Sequence, residues 1–164
     1  LGKHVKCYGI PIFQNNENSI VNIGNFCTFV SSQNINLYAN RRCAVSAMQN
    51  AVIKIGDHCG FTSTVIRAET SIEIGNNVLC GPNCTIMDSD GHPLNYDERN
   101  ISKNPDSQPI IISDDVWLGQ NVTVLKGCTI GARTVVSGNS TVSHSLPPDV
   151  LAGGIPARIL KKLK

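Results

Sequence analysis

The chain has 164 residues, enough for one domain with a buried core. A formal net charge of +2, with no dense basic run before the closing "KKLK", weighs against a nucleic-acid binder. No apolar run approaches the roughly 20 residues that a membrane-spanning helix needs, and no leader pattern stands at the start of the sequence.

Hydrophobic residues make up 41% of the chain but aromatics only 5%, so the core must be built from small and branched aliphatic side chains. Seven cysteines, an odd number without CxxC spacing, argue against a disulfide framework or a zinc knuckle and for a reducing, cytoplasmic setting.

In chain order, "LGKHVKCYGIPIF" predicts extended strand. A six-residue beat then enters as "IGNFCT" at Ile23, weakens over 30–52, and returns as "IGDHCG" at Ile55. Residues 1–52 are therefore expected to form irregular N-terminal coils, 53–147 regular ones, and 148–164 a cap. From Ile55 to Ile74 is nineteen residues, one eighteen-residue coil plus a single insertion near 61–68. The beat runs on through "IGNNVL" and "CGPNCT" to Ile86, and from Ile112 it continues as Leu118, Val124, Ile130, Val136 and Val142. The fifth position of these later hexads is small throughout: Val116, Val122, Cys128, Thr134, Ser140.

A helix would space apolar residues three and four apart, and a flat half-buried strand would alternate for longer. A period of six with one large and one small inward residue fits a short strand and a turn, three to a coil, stacked as a triangular prism of parallel strands. Cys27, Cys59, Cys84 and Cys128 take the fifth position and Cys80 a lead position, as small hydrophobes inside the prism.

Between Ile86 and Ile110 the beat breaks. Continued arithmetically, it puts Asp90 in a small slot and His92 in an apolar one. An unpaired carboxylate is costly to bury, so the chain is expected to leave the coil over about 91–109, where Pro93, Pro105 and Pro109 mark an extruded loop. A neutral imidazole there suits general-base activation of an alcohol. Asp90, slightly preferred, Asp88 or a backbone carbonyl would orient the ring. His4, His58 and His144 are expected to be solvated.

With the hexads in register, "DGHP", "VWLG" and "GGIPAR", the sequence from about residue 50 onward resembles the hexapeptide-repeat acyltransferases, in particular the galactoside, maltose and polysaccharide O-acetyltransferases. The resemblance implies an all-β fold, a left-handed parallel β-helix, and a homotrimer whose active sites lie between subunits. It implies acetyl-CoA as acyl donor, no metal, and His92 as general base toward a sugar or glycan hydroxyl. It places the cofactor beside Trp117, Gly119, Gln120, Ser137, Gly138 and Ser143. Arg158 and Lys161 would lie toward the adenine or phosphates. Where the family often has Ser and Ala-Gly, this chain has Gln120 and Gly138–Asn139, so backbone contacts carry over more firmly than side-chain ones.

Thr62, Asn83, Tyr96 and Arg99 are candidate acceptor contacts. Residues 157–164 are expected to form a short C-terminal helix. The absence of evident N-terminal helices shifts the expectation toward O-acetylation of a surface polysaccharide such as capsule or lipopolysaccharide. N-acetylation of an amino-sugar nucleotide, a zinc hydratase and a non-catalytic scaffold remain alternatives.

Overall fold

The computed structural model describes residues 1–38, 40–100 and 106–163; of the expected loop, 101–105 lie outside the described residues. Among the described residues, nineteen short strands build three faces of a prism. The first face holds β1 (Lys6–Tyr8), β4 (Thr28–Val30), β7 (Gly60–Thr62), β10 (Leu79–Cys80), β13 (Trp117–Leu118), β16 (Val135–Val136), β18 (Val150–Gly154) and β19 (Ala157–Lys162). The second holds β2 (Ile12–Asn15), β5 (Ala44–Ala47), β8 (Val65–Ala68), β11 (Thr85–Met87), β14 (Thr123–Val124) and β17 (Thr141–Val142). The third holds β3 (Ile20–Ile23), β6 (Val52–Ile55), β9 (Ser71–Ile74), β12 (Ile110–Ile112) and β15 (Thr129–Ile130). From β1 to β17 consecutive strands visit the faces in turn, which makes the parallel β-helix, left-handed as in the family it resembles.

Register converts the six-residue beat into columns. Phe29, Phe61, Cys80, Leu118, Val136 and Ala152 stack inside the first face. Val45, Ile66, Ile86, Val124 and Val142 stack inside the second, and Ile55, Ile74, Ile112 and Ile130 inside the third. All of these are buried, each large aliphatic contributing roughly 1.5–3 kcal/mol. The corners take the small residues. Cys27, Cys59, Val78, Val116 and Thr134 are buried where the third face meets the first, and Cys84, Val122 and Ser140 where the first meets the second. All seven cysteines are free thiols, and only Cys7 is exposed.

The extra residue of the 55–74 coil is the net of two changes. Phe61 to Ile66 spans one residue fewer than the paired Cys80 to Ile86, and the return from Ile66 to Ile74 is two residues longer than the six-residue step. Earlier in the chain, β1 to β4 already keep register with the coils above them, and the irregular stretch falls in 31–43.

The expected C-terminal helix is not formed. Residues 157–162 fold back as β19, antiparallel on β18, through a turn that Gly154 enters at φ +102°. A helix of one or two turns is marginal in water, whereas β18 offers a row of unpaired backbone groups for β19 to satisfy.

Candidate functional site

The loop that carries His92 leaves the second face after β11 and rejoins the third at β12. Its two legs pair briefly: Gln108 N–H donates to Asp88 O (2.8 Å), Asp90 N–H to Asp106 O (3.2 Å), and Ser89 bridges Ser107. Asp88 is fully buried, and its carboxylate accepts the backbone N–H groups of Glu69 (2.7 Å) and Thr70 (2.8 Å). Thr70 Oγ1 also reaches Ser107 Oγ at 2.7 Å. Asp88 therefore satisfies a coil corner that the departing loop would leave open.

Asp90 is exposed and binds Lys126, whose Nζ lies 2.5 Å from Asp90 Oδ2 and 2.5 Å from Asp106 Oδ2. The two carboxylates hold the Lys126 ammonium above its ordinary pKa, Asp106 having the larger effect.

The imidazole of His92 is exposed, and its Nδ1 lies 3.1 Å from the carbonyl oxygen of Arg99. A carbonyl has no proton to give, so in neutral His92 the hydrogen sits on Nδ1 and the free electron pair on Nε2. The preference for Asp90 as the orienting group gives way to this carbonyl, because Asp90 and Asp88 are engaged elsewhere. Arg99 is itself turned back on the loop, its Nη2 donating to Leu94 O at 3.0 Å. Asn95 and Glu98 close the tip through Nδ2–Oε1 (3.2 Å) and N–O (3.1 Å) bonds, and Tyr96 stands exposed there.

The candidate cofactor residues fall in three places. Gly119 and Gln120 lie beside Ser137 and Gly138 at the corner between first and second faces, so close that a Cβ on Gly119 would meet Gly138 N at 2.6 Å. Trp117 points outward from the first face, 53% exposed, in a column with Leu79, Val135 and Leu151. Ser143 sits instead at the corner between second and third faces, one coil from Lys126, its Oγ 3.0 Å from His144 Nδ1. Arg158 and Lys161 are exposed on β19.

Thr62 and Asn83 meet at the first corner, where Asn83 N–H donates to Thr62 O (3.1 Å). Asn83 Nδ2 donates to Tyr38 O at 3.3 Å, while its Oδ1 is buried without a partner among the described residues. The second face separates this pair from the loop of His92.

Three features escaped the sequence reading. Arg41, from the 31–43 stretch, crosses two coils and donates to Ser63 O (2.9 Å), Asn83 O (2.8 Å), Cys84 O (2.9 Å) and Thr85 Oγ1 (2.9 Å). Arg67 and Glu69, paired at 2.7 Å, line a small cleft with Met87, Ser89 and Gly91 at the loop's base. Lys126 sits at a polar turn position of its hexad; the available signal was that it is the first cation after the loop returns, two hexads past Ile112. Of the other histidines, all exposed, His4 and His58 stack on either side of Phe26 with ring centroids 4.9 Å apart.

The family model described as "Bacterial transferase hexapeptide (six repeats)" matches residues 109–144. Galactoside O-acetyltransferase of Escherichia coli K12 is 36% identical over 108 residues, which cover 65% of this chain and 51% of that protein. The chain thus spans about half the length of such curated relatives. WbbJ of Escherichia coli K12, a candidate O-acetyl transferase of lipopolysaccharide biosynthesis, is 32% identical over 159 residues, covering 93% of this chain and 76% of WbbJ. A hexapeptide-repeat-containing acetyltransferase from Vibrio cholerae, solved in complex with acetyl coenzyme A, is 31% identical with a TM-score of 0.55, covering all of this chain and 70% of that one. A second structure of the Vibrio protein reaches a TM-score of 0.64 at 33% identity, with 73% of that chain covered.

Proposed function

Because the chain belongs to the hexapeptide-repeat acetyltransferases, we propose that it transfers an acetyl group from acetyl-CoA to a sugar hydroxyl, with His92 as general base. The observation that carries this reading is the Nδ1 contact of His92 with the Arg99 carbonyl, which leaves Nε2 to receive a proton. An acceptor hydroxyl bonded to Nε2 loses its proton as its oxygen attacks the thioester carbon. The tetrahedral intermediate then collapses, expelling the thiolate of coenzyme A, which takes the proton back from the imidazolium. The Arg99 carbonyl fixes the orientation of the ring throughout.

The cofactor is assigned to a cleft formed with a neighbouring copy in a homotrimer. The outward apolar column of Leu79, Trp117, Val135 and Leu151 supports a contact on the first face, with the close-packed rungs at Gly119–Gln120 and Ser137–Gly138 at its edge. Exposed backbone at such rungs suits the amides of a pantetheine arm, and Arg158 and Lys161 suit its phosphates. Ser143, at the other corner, would reach only an arm that passes the loop. Tyr96 and Arg99 on the loop, with Arg67 and Glu69 at its base, are the acceptor contacts this reading favours; Thr62 and Asn83 would serve an acceptor that extends across the second face.

The acceptor is assigned to surface-glycan synthesis, in line with the name of WbbJ, and the compartment to the cytoplasm, where seven free thiols stay reduced. Coenzyme A release from acetyl-CoA, followed with a thiol reagent across sugar, glycan and amino-sugar acceptors, tests the reaction, and sedimentation tests the assembly. Hydroxyl-dependent release by a species of three chains is expected. Release that follows only amine acceptors would overturn the choice of nucleophile.

A further inference from the structure

The neck of the loop contains a charged clamp that the reaction as described does not use. Lys126 belongs to the turn after β14, on the coil above the one from which the loop departs. Its side chain is only 18% exposed, and its single ammonium group contacts both legs of the loop, Asp90 on the way out and Asp106 on the way back. The next residue adds a third tether, with Gly127 N–H donating to Gln108 O at 3.0 Å. With both Oδ2 atoms 2.5 Å from one nitrogen, the two carboxylates stand within about 5 Å of each other. At that separation they repel unless a cation lies between them. Asp90 is two residues from His92, so whatever spreads the legs also moves the ring relative to the Arg99 carbonyl.

We propose that Lys126 is a positioning residue, a cationic clamp that holds the two legs of the loop together and so keeps His92 in its working orientation. The proposal rests on the reading of His92 as the general base. Lys126 touches no reacting atom; it acts through the neck. Its removal leaves the corner bonds of Asp88 and the backbone pairs between the legs in place, so the prism stays folded while the loop loosens. Misplacement of a catalytic group by about 1 Å is enough to cost up to ~10²-fold in rate.

The test compares wild type, Lys126→Met, Lys126→Arg, and the triple variant Lys126→Met with Asp90→Asn and Asp106→Asn. Each is measured for kcat and KM and for the rate of tryptic cleavage after Arg99 in the folded protein. Lys126→Met is expected to lower kcat by about 10- to 100-fold with little change in KM for acetyl-CoA, and to speed cleavage after Arg99. Lys126→Arg restores both readouts because it keeps the charge. The triple variant restores much of both because neutral amides no longer repel.

Wild-type kcat and wild-type cleavage in Lys126→Met would overturn the clamp. So would a loss that comes with a large fall in melting temperature and is not recovered in the triple variant, since that would make Lys126 a packing residue. If the wild type itself shows no acetyl transfer, the reading of His92 fails, and the cleavage rates alone still decide whether Lys126 closes the neck.

Discussion

His92 and Asp88 lie four residues apart and do opposite kinds of work. His92 is exposed, and little packing depends on it. Replacing it by Ala is therefore expected to lower kcat by ~10²–10⁴-fold while leaving the melting temperature close to that of the wild type. Coenzyme A release and calorimetry on the same preparation check both halves.

Asp88 is fully buried and accepts two backbone N–H groups. Asp88→Ala strands both donors and is expected to destabilise the fold by about 3 kcal/mol, read as a lower urea midpoint. The misfit in the beat near these residues was legible in the sequence, but it pointed to Asp90. The frame assumed that the chain stays in the coil through residue 90. The Ser89–Ser107 bridge shows it already in the loop by then, which moves the buried carboxylate back to Asp88 and leaves Asp90 for Lys126. The Arg99 carbonyl could not be singled out, because any backbone oxygen of a folded loop is an equal candidate until the loop's course is known.

The corner between the third and first faces runs as a ladder. Asn25 N–H donates to Asp57 Oδ1 (2.6 Å), Asp57 N–H to Asn76 Oδ1 (2.9 Å), and Asn76 N–H to Asp114 Oδ1 (2.7 Å). The backbone and side-chain N–H groups of Asn25 hold Asp57 below its ordinary 3.8. A carboxyl depressed on folding lends stability that is complete above the unfolded pKa and is lost as the pH falls through the folded one. Asp57→Asn keeps an oxygen for the Asn25 amide but has nothing to protonate. Acid unfolding followed by circular dichroism should thus be shallower for Asp57→Asn than for wild type below about pH 4, with wild type the more stable of the two at pH 7 and the difference closing as the pH falls.

At this scale the hexads announced the strands well, because one branched lead residue in six can face inward only if every coil repeats the same turn. "ARILKK" was misread as helix because six residues carry too little periodicity to choose, and the free edge of β18 decided the matter.

Taken whole, the molecule stores six of its seven cysteines inside the prism. Burial pushes the Cys84 thiol up to about 11 and raises Cys80 as well. Cys59 is raised by the hydrogen bond it shares with Cys27 and by burial. An excess of a maleimide at pH 7 is expected to label one thiol, Cys7, in the native protein and seven after unfolding, as counted by intact mass. Rapid native labelling of more than one would mean that the coils open far more readily than this packing allows.

The composition, rich in aliphatic residues and poor in aromatic ones, foretold such a filling. It was silent on the 31–43 stretch, because Arg41 finds its partners two coils away and nothing local in the sequence encodes that distance.

The reversal of β19 bears on how the protein behaves when crowded with itself. A column of parallel strands is a template whose last rung can accept another strand of the same direction, from the same molecule or from a neighbour. Beyond β18 any newcomer on the first face meets a strand running the other way, studded with Arg158, Lys161 and Lys162. Direction and charge are both wrong for continuation, so this rim acts as a built-in stop against filament growth.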